Sequence, residues 1–119
     1  KLDALNALNC YFAQLITELE HGNFKGGCLL GNLMGEIGDT SDLCRQSLQQ
    51  AVARYQQLLA IALKTAQAEG TVRTDKSADD MADLLLNTWQ GALLRMKIEQ
   101  STRPLKQCCT DLLGDYFKK

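Results

Sequence analysis

Met81-Ala82-Asp83-Leu84-Leu85-Leu86-Asn87-Thr88-Trp89-Gln90-Gly91-Ala92-Leu93-Leu94-Arg95-Met96-Lys97 carries the clearest helical pattern in the chain. Met81, Leu84, Leu85, Trp89, Ala92, Leu93 and Met96 recur at steps that put them on one face of a helix. Asp75, Asp79, Asp80 and Asp83 stand at its start and Arg95 and Lys97 near its end, as the helix dipole favours. The helix is expected to run to about Gln100. Leu86, Leu94 and Ile98 fall off the main face, so apolar residues occupy much of the circumference.

Working outward, the same periodicity recurs on both sides. Downstream, Pro104 suits a first helical turn, and Leu105, Cys108, Cys109, Leu112, Leu113, Tyr116 and Phe117 form another apolar stripe. Upstream, Leu43, Cys44, Leu48, Val52, Tyr55, Leu58, Leu59, Ala62, Leu63 and Ala66 predict a long helix that starts after the cap-rich Gly38-Asp39-Thr40-Ser41 and stops at Gly70. Cys28 to Ile37, with Leu29, Leu30, Leu33, Met34 and Ile37, predicts a short helix that needs neighbours to be stable. Leu5, Leu8, Phe12, Leu15, Ile16 and Leu19 predict an opening helix over roughly residues 2 to 20, closed by a left-handed Gly22. No segment alternates as a strand does. The expected fold is all-α, a five-helix bundle forming a single domain over residues 1–119.

Composition narrows the function classes. The 119 residues are 45% hydrophobic and 23% charged, within the range of globular chains. Thirteen basic and 14 acidic residues leave a net charge of -1, with no cationic excess to neutralise phosphates, so this chain alone is not expected to bind DNA. No apolar run approaches the ~20 residues of a membrane span, and the start lacks signal-peptide order. A soluble, cytoplasmic protein without a membrane partner is expected. Five cysteines cannot form a complete internal disulfide framework. His21 is the single histidine, and no paired Cys-x-x-Cys or His-x-x-x-His spacing occurs, so zinc and triad chemistry lack their parts. No metal, cofactor or catalytic residue is expected. The first residue is Lys1, and Leu2, Leu5 and Leu8 already keep helical spacing, so the chain is expected to begin inside a larger protein.

The order of pieces carries a resemblance. The segment from Phe24 to Glu36 with Gly27-Cys28-Leu29-Leu30-Gly31-Asn32, the segment from Ala82 to Lys97 with Trp89-Gln90-Gly91-Ala92-Leu93, and the closing Arg103-Pro104-Leu105 helix together resemble the effector domain of TetR-family transcriptional regulators. The resemblance covers nearly the whole chain and implies a homodimer. Its last two helices would pack against their twofold mates as a four-helix bundle, with a ligand cavity among the preceding helices. It also implies a preceding DNA-binding unit with a helix-turn-helix, which nothing in this sequence supplies.

Three sets of residues are candidates for that work. Asn32, Met34, Tyr55, Met81, Trp89, Gln90 and Met96 combine aromatic and thioether walls with amides for orientation, as a cavity for a small apolar effector requires. Any one of them at helical spacing can equally be plain core. Leu86, Leu94, Ile98, Leu105, Leu112, Leu113 and Tyr116 are the expected dimer interface, since a monomer of this size has little interior to hide them all. Cys28 follows Gly26-Gly27 at a helix start, a place that lowers a thiol pKa, and with Lys97 as a nearby cation it is a candidate sensor of oxidants or electrophiles. The alternative is an inert buried cysteine. Cys108 and Cys109 point about 100° apart on a helix and are expected to pack; Cys10 and Cys44 are expected to be structural. His21 is expected to cap helix carbonyls.

The leading expectation is the ligand-sensing and dimerisation domain of a TetR-like regulator, a repressor released by a small molecule or electrophile, and not an enzyme. The alternative is a free-standing helical module that docks another protein and has no small-molecule site. A thiol enzyme built on Cys28 would need a base and an oxyanion site that His21 alone does not provide.

Overall fold

Asp3 opens the first helix by accepting the Asn6 N–H on its side chain at 2.8 Å, and the Ala4 N–H reaches the Glu69 carboxylate at 2.8 Å. The computed structural model describes residues 3–24 and 42–119. Helix α1, Ala4–His21, buries Leu5, Leu8, Phe12, Ile16 and Leu19, the expected stripe, with Leu15 packed at its edge. Its end differs from expectation. Gly22 has φ −88°, and the left-handed positions are Asn23 at 57° and Phe24 at 63°. The Phe24 N–H donates to the Leu19 carbonyl at 2.8 Å, so the reversal falls beyond the glycine, where Phe24 turns back onto the core.

Helix α2, Asp42–Ala68, buries Leu59, Ala60, Leu63 and Ala66. Gly70, at φ 85°, ends it in the left-handed conformation only glycine adopts freely. Leu58 departs from the expected core stripe and is 63% exposed. The apolar positions of α2 span more of its circumference than its neighbours α1 and α3 cover. The connection to the next helix is pinned by Gln67, whose Nε2 donates to the Arg73 and Lys76 carbonyls at 3.0 and 2.9 Å.

Helix α3, Ala78–Glu99, starts at Ser77, whose hydroxyl accepts the Asp80 N–H at 3.0 Å, with Asp79 and Asp80 complementing the dipole in the first turn. A left-handed Gln100 closes it. It is the central element, packing against both α2 and α4. Leu84, expected on the core face, lies on the outer side, 39% exposed.

Helix α4, Arg103–Cys108, continues without a break into a π-helix, Cys109–Tyr116. This change of winding departs from the simple fifth helix expected. Hydrogen bonds five residues apart give about 4.4 residues per turn. At that pitch Cys108, Leu112, Leu113 and Phe117 all face inward, and all four are buried. The chain end is tied to the α2–α3 connection: the Arg73 N–H donates to the Phe117 carbonyl at 2.8 Å and the Lys119 N–H to the Thr71 carbonyl at 3.2 Å. The expected helix over Cys28 to Ile37 lies outside the described residues, so the count of five is not established. Among the described residues the architecture is all-helical, with only an isolated bridge between Val72 and Lys118.

Candidate functional site

Among the described residues, three recesses and one buried amide offer chemistry. Between α1 and α2, Leu8, Tyr11, Tyr55, Leu58 and Leu59 line an apolar cavity of about 230 Å³. Its lining comes from Leu8 of the α1 core stripe with the exposed Tyr11, and from α2, where Leu59 is buried, Tyr55 half-buried and Leu58 exposed. That volume lies below the range for drug-sized ligands and suits a small one. Behind it, Tyr11 meets Phe12 edge-on at 5.1 Å, and Phe12 meets Trp89 at 4.7 Å, an aromatic file from the cavity wall into α3.

Gln90 follows Trp89 on α3. Its Oε1 and Nε2 are both buried and neither has a hydrogen-bond partner.

A wider cleft of about 590 Å³ runs between α1 and the C-terminal helix, lined by Asn9, Thr17, Glu20, Lys106 and Cys109 among others. Glu20 is its organising charge. The Thr102 hydroxyl donates to Glu20 Oε2 at 2.6 Å and Lys106 Nζ lies 3.1 Å from the same oxygen. The hydrogen bond from Thr102, then those from Lys106, hold the Glu20 carboxyl below its ordinary value. Burial pushes the Cys108 thiol up to about 12 and raises that of Cys109 as well, so both stay protonated and poorly nucleophilic.

The outer face of α3 forms the third feature. Leu84, Asn87, Gly91, Leu94 and Ile98 follow alternating steps of three and four, the heptad spacing of a helix seam, and all are exposed. Leu94 is 63% and Ile98 73% exposed. A groove of about 450 Å³, lined by Thr88, Gly91, Arg95, Gln107 and Asp111 among others, separates this face from the C-terminal helix. A Cβ added at Gly91 would meet nothing within 4 Å, so packing within the monomer does not require glycine there.

The residues expected from the sequence are distributed unevenly over these features. Tyr55 lines the small cavity. Met81, Trp89 and Met96 are almost completely buried in the core and are not among the residues lining that cavity. Asn32, Met34 and Cys28 lie outside the described residues, and Lys97 is half-buried in the last turn of α3. Of the expected interface, Leu94, Ile98 and Tyr116 are exposed, whereas Leu86, Leu105, Leu112 and Leu113 are buried within the monomer. Their apolarity is accounted for by its own core. Cys10, expected to be structural, is exposed. Leu8, Tyr11, Leu58 and Leu59 of the cavity were not singled out. The available signal was Tyr11, an aromatic set beside the apolar stripe of α1 among polar residues.

Among the described residues no group of three or more His, Cys, Asp or Glu side chains is placed to hold a metal ion, and no helix is long and apolar enough to cross a membrane.

Comparison with known proteins gives a consistent set of likenesses. The family described as "Tetracyclin repressor-like, C-terminal domain" matches residues 4–112. The chain is 37% identical over 103 residues to the HTH-type transcriptional repressor DhaR of Mycobacterium sp. (strain GP1), covering 87% of this chain and 50% of that protein. It is 38% identical over 97 residues to the transcriptional regulator AcuR of Cereibacter sphaeroides, covering 82% of this chain and 43% of that one. The crystal structure of a regulatory protein TetR from Rhodobacter sphaeroides superposes with a TM-score of 0.88 at 29% identity, over 95% of this chain and 60% of that one. The chain thus spans about half the length of the curated relatives it matches.

Proposed function

Because the chain belongs to the tetracycline-repressor-like C-terminal domain family of TetR-type regulators, we propose that residues 1–119 are a single effector-sensing and dimerising domain of a DNA-binding repressor. DNA contact falls to a part of the protein outside this chain, in keeping with the balanced charge here. The relatives are regulators, and the proposed role is regulatory, in the cytoplasm, without catalysis.

The observation that carries the reading is the exposed seam Leu84, Asn87, Gly91, Leu94 and Ile98 on α3. An apolar stripe at heptad spacing is what a partner helix covers, and glycine at its centre admits close approach of a second backbone. In the interior of a helix that glycine costs about 1 kcal/mol relative to alanine. A second copy packed on this seam, with Tyr116 at its rim, makes the four-helix contact. Leu86, Leu105, Leu112 and Leu113 then form the rigid layer beneath it.

Effector sensing is assigned to the inner side of α3 and to α1–α2. Tyr55 with Leu8, Tyr11, Leu58 and Leu59 gives an apolar wall, Gln90 a polar group, and Met81, Trp89 and Met96 the packed layer through which occupancy is felt. Asn32 and Met34 join this set on the sequence pattern, and Cys28 with Lys97 remains the route for an electrophile. An effector acts by preferring the dimer geometry that does not fit DNA, and the shift it produces cannot exceed that preference.

The test is DNA binding by the full-length regulator with Ile98→Glu on the seam. The reading expects loss of operator binding by a variant that still folds, with its helical content kept, since the side chain is 73% exposed in the single chain. Retained operator binding would contradict it, and a monomer that captures a different protein through the seam would favour a helical interaction module instead.

A further inference from the structure

Gln90 is half-buried, and the fold leaves its amide unpaired. Its Oε1 and Nε2 are the two buried side-chain polar atoms without a hydrogen-bond partner among the described residues. Leaving such a group unpaired is destabilising, whereas an apolar side chain of similar volume would avoid the cost. On α3 it shares a face with Leu86 and Leu93, four positions before and three after, and both are buried. Its neighbours three before and four after, Asn87 and Leu94, are exposed, so Gln90 stands at the edge of the buried face with a donor and an acceptor side by side, both shielded from solvent.

From this we infer that Gln90 is the polar anchor of the effector site, and that the effector is a small molecule whose apolar body ends in a neutral group able both to accept and to donate a hydrogen bond, such as a primary carboxamide or an alcohol. The inference rests on the effector-sensing reading above and narrows its ligand class. The chemistry follows from the amide's two atoms: Nε2 donates to the ligand oxygen, and Oε1 accepts from the ligand N–H or O–H. A carboxylate serves only half of this. Its oxygens only accept, so it pairs with Nε2 and leaves Oε1 unpaired beside a negative charge.

The experiment follows the side-chain NH₂ signals of Gln90 by NMR in protein isotope-labelled at glutamine, with the pair assigned by its disappearance in Gln90→Met. Butyramide, butanol and butyrate are the probes. Butyramide and butanol are expected to move the Gln90 pair saturably and butyrate to leave it in place, with at least a tenfold loss of butyramide affinity in Gln90→Met. Gln90→Leu replaces the methionine variant if that variant does not fold. A Gln90 pair that stays fixed with butyramide and butanol overturns the inference, as does one that follows butyrate equally well. If the probes shift signals elsewhere while the Gln90 pair is fixed, this anchor falls and the effector reading stands; failure of the wider reading shows separately, in retained operator binding by Ile98→Glu.

Discussion

The backbone N–H of Phe117 donates to the carbonyl of Leu112, five residues earlier, at 2.8 Å. This bond belongs to the π-wound C-terminal segment, and it decides which aromatic side chain of the pair Tyr116 and Phe117 enters the core. Phe117 is fully buried and Tyr116 is 40% exposed under the Arg73 guanidinium, 4.8 Å from its ring centre. Phe117→Ala is expected to lower stability by about 3–5 kcal/mol. Tyr116→Ala, which loses a partly exposed cation–π contact, is expected to cost about 0.5–1 kcal/mol. Urea unfolding of the two variants checks the order, and α-helical winding would bring their costs together or reverse them.

Glu20 joins the end of α1 to the α3–α4 turn through Thr102 and Lys106. Its carboxyl is held below the ordinary 4.5, so its stabilising effect is present above that value and is lost as pH falls through the lower folded-state value. Glu20→Gln is expected to be less stable than the parent at neutral pH, with the difference closing below pH 4.5. Thermal unfolding midpoints across that range measure it. A difference that widens in acid would contradict the assignment.

Thiol accessibility separates Cys10 from Cys108. Cys10 is exposed, whereas Cys108 is buried and its thiol pushed up to about 12. A maleimide at neutral pH is expected to label Cys10 in the folded protein and Cys108 only after unfolding, as read by mass spectrometry of proteolytic fragments. Labelling of Cys108 at the rate of Cys10 would show that the C-terminal helix opens readily.

Much of this was legible in the sequence, and the residues that were not have physical reasons in common. The α1 stripe was read correctly because one apolar face meets one core. On α2 and α3, apolar residues spread beyond the face that a neighbour covers, so periodicity placed Leu58 and Leu84 inside when they lie outside. The family resemblance and the crowding of apolar residues also placed Leu86, Leu105, Leu112 and Leu113 in an interface, and the monomer buries all four. The π winding escaped notice because Leu112, Leu113, Tyr116 and Phe117 are compatible with either pitch until their neighbours are known. Trp89 and Gln90 were singled out, yet only the fold shows that one is packed while the other is buried and unpaired. Asn32, Met34 and Cys28 remain readings of sequence.

The seam on α3 also makes a prediction about Gly91. Gly91→Ala meets no obstacle inside the monomer and is expected to raise helix stability by about 0.5–1 kcal/mol, as read from the unfolding of dilute protein. The larger Gly91→Leu is expected to hold two copies apart. Gly91→Ala that destabilises the isolated chain would show that the glycine serves the monomer instead.

Sedimentation equilibrium of the parent protein beside Gly91→Leu and Ile98→Glu reads whether the α3 seam joins two copies of the chain. A dimeric parent with both variants shifted to monomer is the predicted result. A parent that is monomeric throughout, or a dimer that both substitutions leave intact, would contradict the assignment of this face to a second copy of the chain.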